Sequence, residues 1–352
     1  MKSSYKEEDV TLLLKDITGM VMPQPTEERE RLIQSGRHYS EMLPQEYRPT
    51  DAYLKLYEMA LEKYADITAQ AVAAVSEKAY NAHDGKPVLV SLARAGTPIG
   101  ILMRRYLQKH YGADIPHYSI SIIRGRGIDK NAMRYLLAHH AAENLQFVDG
   151  WTGKGAIAHE LMDAMQDFPG VSPSLAVLSD PANVAGLWGT QEDFLIASSC
   201  LNCTVSGLIS RTFLRDDIIG PEDFHGAVCY NELAGFDRTY EFIDKVARYL
   251  PEQAPIDVGE GISLGQRTGL LEANEIAAHF GIKDINLVKP GIGEATRVLL
   301  RRLPERLLVW SLADNEHLGH LYQLAAEKNV PIEEYPLQNY RACGIIRTMG
   351  DA

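Results

Sequence analysis

Between residues 53 and 75 the apolar positions Tyr53, Leu54, Tyr57, Leu61, Tyr64, Ile67, Val72 and Val75 recur at helical spacing, and Asp51 precedes them as a suitable N-cap. The spacing predicts one long amphipathic helix whose tyrosine-bearing face packs on a sheet. Downstream the rhythm changes to short apolar runs. Val88-Leu89-Val90-Ser91-Leu92 opens on Ala95-Gly96-Thr97-Pro98 and a helix over 99–108, and 118–123 reads as a second strand ending in Arg124-Gly125-Arg126-Gly127. A third strand over 145–149 runs through Gly150 and Trp151 into a helix over 156–165. Runs at 174–178 and 194–197 complete five strand candidates, and 240–249 reads as a helix. Short buried strands alternating with helices predict a parallel sheet covered on both faces, with functional loops at the strands' carboxyl ends.

Two punctuated stretches divide the chain. Pro23, Pro25, Pro44 and Pro49 make 23–50 an irregular, largely extended lead-in, and Pro251 and Pro255 mark a linker after the helical pattern. Beyond it, strands at 285–288, 307–311 and 332–335 alternate with helices at 294–302 and 316–328, enough for a small α/β domain. The expected organisation is an N-terminal extension over 1–30, a large domain over 31–250, a linker over 251–255 and a small domain over 256–352. A length of 352 residues agrees with two domains.

Composition narrows the classes. With 45% hydrophobic and 23% charged residues the chain is ordinary globular protein, which excludes disordered and fibrous classes. The formal charge of −12 repels polyanions overall, so any nucleic-acid site must be local. No apolar signal core opens the chain and no run approaches a membrane span, so a cytoplasmic protein with no membrane partner is expected. Cys200 and Cys203 form a lone C-x-x-C while Cys229 and Cys343 stand single, which reads as free thiols without a zinc site.

Candidate chemistry concentrates in two strand-to-helix turns. Phe147-Val148-Asp149-Gly150-Trp151-Thr152-Gly153-Lys154-Gly155 delivers an acidic residue and then a Thr/Gly turn at a helix start, where backbone N–H groups can cradle a phosphate. It is not a nucleotide P-loop, because Gly155 stands where Ser or Thr should follow Lys154. The second turn, Arg94-Ala95-Gly96, offers a planar guanidinium suited to phosphate or pyrophosphate. Two anion sites on one sheet edge suggest a ligand phosphorylated at both ends.

These residues resemble a known family. Leu92-Ala93-Arg94-Ala95-Gly96 is similar to the pyrophosphate loop of type I phosphoribosyltransferases, and 147–155 resembles their loop for phosphoribosyl pyrophosphate (PRPP). Together with 200–212, the order of motifs is similar to a bacterial phosphoribosyltransferase family of tellurium-resistance and stress operons, fused to a Pelota-type RNA-binding domain. The same family is also known as a stress-induced cysteine protease family. Here Asp149 is followed by Gly150 rather than a second acid, and the loop is about one residue shorter than the family's.

The resemblance implies an α/β fold, a type I phosphoribosyltransferase-like parallel sheet followed by a small L7Ae/Pelota-like domain. It implies transfer of ribose 5-phosphate from PRPP to a nucleobase-like acceptor, with release of pyrophosphate, in the biosynthesis of a ribonucleoside. Asp149, Arg94 and Arg124 would be catalytic. Residues Asp149, Gly150, Trp151, Thr152, Gly153, Lys154 and Gly155 would hold ribose and 5′-phosphate, while Arg94, Ala95, Gly96, Arg124 and Arg126 would hold pyrophosphate with Mg2+ carried by PRPP. The glycine-hinged stretch 124–130 is the candidate closing loop, and Ser206, Ser210 and Arg211 would form the base side.

Two alternatives stand beside this reading. Cys200 is a candidate nucleophile of a cysteine protease if His139, His140 or His225 approaches it in three dimensions. A PRPP- or nucleotide-sensing RNA-binding regulator is the other. In the C-terminal domain, 289–306 carries five basic and two acidic residues, and the layout resembles Pelota/L7Ae domains, making Lys289, Arg297, Arg301 and Arg302 candidate RNA contacts. The plain alternative is a solvated helix face. A homodimer stays open.

Overall fold

The computed structural model describes residues 1–253 and 268–347. Its first layer is a six-stranded sheet of β1 (Thr11–Leu12), β2 (Val88–Leu92), β3 (His117–Ile120), β4 (Leu145–Trp151), β5 (Leu175–Ser179) and β6 (Leu187–Thr190). The order is β1-β3-β2-β4-β5-β6 and every pairing is parallel. All five residues of β2 and of β5 are buried, as expected of strands covered on both sides. Five helices accompany it: α1 (Asp51–Ala82), α2 (Gly96–Tyr111), α3 (Lys130–His139), α4 (Ala156–Met165) and α5 (Thr239–Ala247).

The pleat sorts the faces. Leu89 and Val148 pack with α1, α2 and α5, whereas Val90 and Phe147 pack with Met133 of α3 and Leu161 of α4. From β2 the chain goes first to β3 on one side and then to β4 on the other. The loops leaving β2 and β4 therefore diverge, opening a crevice beyond their carboxyl ends where ligands of such sheets bind.

The C-terminal domain contains α6 (Gly269–His279), β7 (Val288–Pro290), α7 (Ile292–Arg301), β8 (Pro304–Val309), α8 (Asn315–Glu327), β9 (Ile332–Glu334) and β10 (Ala342–Ile346). Its sheet runs β7-β10-β8-β9, with β10 antiparallel to both neighbours and β8 parallel to β9. One face closes on α6 through Ile276, Leu308 and Ile345. The other, with Ile292, Leu299 and Leu307, joins the apolar cluster of α1 and α2, so the two domains share a core.

Several expected elements are displaced. The lead-in is not wholly extended, since Thr26–Gln34 is helical. Helix α1 runs seven residues beyond Val75, and Asp51 is its first residue while Thr50 takes the cap position. Ile67 is 37% exposed, off the buried stripe. The run 118–123 ends as a strand at Ile120, and Ile122–Ile123 instead pairs back on Gly127–Ile128. The apolar run at 194–197 is buried irregular chain leading into the single turn Ala197–Cys200, and the sixth strand is the more polar Leu187–Thr190. Pro255 of the expected linker lies outside the described residues. Among the described residues no helix is long and apolar enough to cross a membrane.

Candidate functional site

The turn after β2 brings Arg94 to the crevice. A Cβ on Gly96 would lie 2.2 Å from the Val148 carbonyl oxygen, so only glycine lets this turn press against β4. Arg94 is half-buried, and its Nη1 donates to Glu46 Oε1 at 3.1 Å and to the Ile209 carbonyl at 3.2 Å. Burial opposes the guanidinium's charge, yet the Glu46 carboxylate more than restores it and raises the pKa. Glu46 also accepts from Asn202 Nδ2 at 3.0 Å.

The turn after β4 is differently occupied. Thr152 Oγ1 donates to Asp180 Oδ1 at 2.5 Å, and the Lys154 ammonium donates to the carbonyls of Ile285 and Val288 in the C-terminal domain. The Gly153 carbonyl accepts from the Tyr340 hydroxyl at 2.5 Å. Gly155, at φ +85°, starts α4 against Val184. The groups read as a phosphate cradle are thus the seat of the second domain. Burial and the nearby Lys289 push the Lys154 ammonium down to about 8. Among the described residues Asp149 accepts only the Gly150 N–H, at 2.7 Å, and burial pushes its carboxyl up to about 7. Trp151 lies beneath Arg297, whose guanidinium is 5.9 Å from the ring centroid.

Other predicted residues are tied elsewhere. The Arg124 side chain donates to Asn286 Oδ1 at 3.2 Å, and Arg126 pairs with Glu41. Ser206 donates to the Asn202 carbonyl and Ser210 to the Arg211 carbonyl, so both hydroxyls are spent on local turns. Ala95 follows Arg94 in the same turn as the last residue before α2.

What the fold does assemble is a cavity of about 470 Å³ between the domains. Arg94, Asn202, Cys203 and Arg211 line it from the first domain, and Lys289, Arg297, Arg301 and Arg302 from the second. The four candidate RNA contacts therefore all line this cavity. Arg301 donates to the Cys200 carbonyl at 2.8 Å and to Asn202, and Arg297 donates to Glu294 at 3.0 Å. The Arg211 side chain makes no hydrogen bond or ion pair among the described residues. Its guanidinium sits 5.5 Å from the Tyr39 ring centroid, and burial beside Arg94 and Arg29 pushes it down to about 10.

All four cysteines are free and buried. Cys200 ends its single turn fully enclosed, while Cys203, 1% exposed, belongs to the cavity wall. Burial pushes both thiols up to about 12; at Cys203 the Glu46 carboxylate adds to this and the field of Arg94 opposes it. The expected Cys–His approach does not occur among the described residues. His139 bonds the Tyr135 carbonyl, His140 the Tyr118 hydroxyl and His225 the Ser121 hydroxyl. Nor does any group of three or more His, Cys, Asp or Glu converge there as a metal site.

Glu46, Asn202, Asp180 and Asp193 escaped the sequence reading. Glu46 lies between Pro44 and Pro49 in the lead-in, and Asp193 lies between strands in sequence. The Asp193 carboxylate nevertheless accepts the Ile292 N–H that starts α7, at 2.9 Å, and the Arg341 N–H at 2.9 Å. No local pattern marks either one, because their partners are about 50 to 150 residues away.

Comparison with known proteins corrects the activity. Residues 3–247 match the family model described as tellurite-like stress resistance cysteine protease StiP, and residues 267–348 match the Pelota RNA-binding domain. The "Cysteine protease StiP" of Acinetobacter baylyi is 36% identical over 99% of this chain and 94% of its own. A hypoxanthine-guanine phosphoribosyltransferase from Bacillus anthracis aligns with 35% of this chain and 71% of its own at 15% identity, with a TM-score of 0.26, a likeness that carries no argument. The phosphoribosyltransferase reading is overturned, along with its pentosyl transfer and nucleoside biosynthesis. Mg2+ entered only as the escort of PRPP. In the structure the turn expected to hold the 5′-phosphate contacts the C-terminal domain through Lys154 and the Gly153 carbonyl, and it still lines a pocket of about 170 Å³. With residues 3–247 matched by the family and nearly the whole length by the relative, the chain belongs to the StiP family of tellurite-like stress resistance cysteine proteases, joined to a Pelota-type domain.

Proposed function

We propose that this protein is a cysteine peptidase whose nucleophile is Cys203 and whose substrate cleft is the interdomain cavity. The observation that carries the choice is that the wall of this cavity contains Cys203 and none of the other three cysteines. Cys203 Sγ attacks the scissile carbonyl carbon, the amide C–N bond breaks, and the thiol proton leaves with the amine. Water then cleaves the thioester, releasing the acid and restoring the thiol. Burial and the Glu46 carboxylate hold the thiol neutral in the resting protein, and Arg94 is the cation whose field acts in the opposite sense, toward the anionic sulfur. Residues 31–250 would carry the peptidase, acting in the cytosol, where unpaired cysteines stay reduced.

The test is hydrolysis of denatured casein and of quenched fluorogenic peptides by the full chain. Cys203→Ser should abolish turnover and Cys200→Ser should keep at least about half. Loss in Cys200→Ser with retention in Cys203→Ser would reverse the assignment, and inertness of the wild-type protein would reject the peptidase.

A second reading, RNA binding by residues 256–352, is supported by the Pelota match. Because Lys289, Arg297, Arg301 and Arg302 line the cavity, RNA would use outward residues such as Lys283 and Arg347, both exposed.

A further inference from the structure

The cavity wall carries more positive charge than its own carboxylates neutralise. Eight basic side chains line it against two acidic ones, Glu46 and Glu294, a formal net of +6. Those two carboxylates are committed, to Arg94 at 3.1 Å and to Arg297 at 3.0 Å. Arg211, half-buried in the first-domain wall, lies by the Tyr39 ring, feels the field of Glu46 and forms an ion pair with no carboxylate among the described residues. Across the cavity Lys289 is half-buried and makes no side-chain hydrogen bond or ion pair among the described residues. Both side chains are half-buried, and a partly desolvated cation is stabilised when an anion meets it. Here the two come from different domains, and Cys203 lines the same cavity.

We propose that the cavity selects acidic peptide segments, with carboxylates of neighbouring Asp or Glu side chains docking on Arg211 of the first domain and Lys289 of the second. This rests on the peptidase reading for its substrate class. A guanidinium takes a carboxylate through two parallel N–H bonds, which fixes direction, and an ammonium takes a second as a point charge. A volume of 470 Å³ lies within the roughly 300–1,000 Å³ usual for ligand clefts. Since the recognising cations come from both domains, the substrate also ties the C-terminal domain to the first.

Binding is measured apart from cleavage by fluorescence anisotropy on the full-length Cys203→Ser protein. Three labelled peptides of equal length are compared, a glutamate-rich, a lysine-rich and a Gly/Ser one, and unlabelled tripolyphosphate serves as competitor. The glutamate-rich peptide should bind at least tenfold tighter than the others. Arg211→Gln and Lys289→Gln should each weaken it about tenfold, and the wild-type protein should cleave it preferentially. Equal binding of the three peptides, or binding unaltered in both variants, would overturn the proposal. So would tight binding of tripolyphosphate with no peptide bound, which would assign the cations to a free phosphate ligand. Tight, Arg211-dependent peptide binding without wild-type cleavage would uphold the acidic preference and reject the peptidase.

Discussion

At pH 7 the Asp149 carboxyl, pushed up to about 7 by burial, is half protonated. A sugar-binding carboxylate in its place would be ionised, so the most acid-base-like residue of the sequence motif is held closer to neutral than that role needs. The shift has a stability consequence with a definite sign. An aspartate near 3.9 in the unfolded chain and about 7 when folded favours folding fully below pH 4, and that advantage is lost as pH rises toward and past 7. An asparagine at this position would keep the acceptor for the Gly150 N–H and carry no charge. Asp149→Asn is therefore expected to be more stable than wild type at pH 8, by about 2–4 kcal/mol, and indistinguishable near pH 4. Urea midpoints at the two pH values measure this. A difference that does not change with pH would show that burial is not what sets this carboxyl.

Among elements, the turn between β2 and α2 is the most constrained. Alanine at position 96 would put its Cβ 2.2 Å from the Val148 carbonyl oxygen, backbone that belongs to β4 and cannot yield as a side chain would. Gly96→Ala is expected to cost about 3 kcal/mol or more, and to withdraw Arg94 from Glu46, lowering Tm and peptidase activity together. Retained Tm and activity would show that the turn has room. The periodicity of β2 and α4 is readable because their apolar partners lie at fixed local spacing, and both appear at the expected residues. The polar Leu187–Thr190 was not, because its place at the sheet edge is fixed by pairing with β5 rather than by its own pattern. Residues 149–155 were legible as a special turn but not as to what it meets. A Thr/Gly turn at a helix start reads as a phosphate cradle by its N–H groups, and only the fold shows that its Gly153 carbonyl accepts from Tyr340 of the C-terminal domain. The cavity was hidden for the same reason, since Arg94, Arg211 and Lys289 converge only when α7 docks.

At the scale of the whole molecule, a chain of formal charge −12 contains a cavity wall of formal charge +6, so the rest of the chain is more acidic than the total, and the two regions act at different ranges. An approaching acidic peptide first meets the outer charge, which repels it across about one Debye length, roughly 8 Å at physiological salt and 30 Å at 0.01 M. Only inside does it reach Arg211 and Lys289, where surrounding protein limits the access of counterions. Salt therefore weakens the repulsion before it weakens the attraction. The association rate of the glutamate-rich peptide with the Cys203→Ser protein is expected to rise, about two- to threefold, between 10 and 100 mM NaCl. This is opposite to the fall seen when a basic surface steers an acidic ligand. Dissociation, governed by the enclosed contacts, should change less over that interval. Stopped-flow anisotropy at several salt concentrations separates the two rates. An association rate that falls monotonically with salt would place the dominant field at the cavity mouth and make the outer acidity irrelevant to substrate capture.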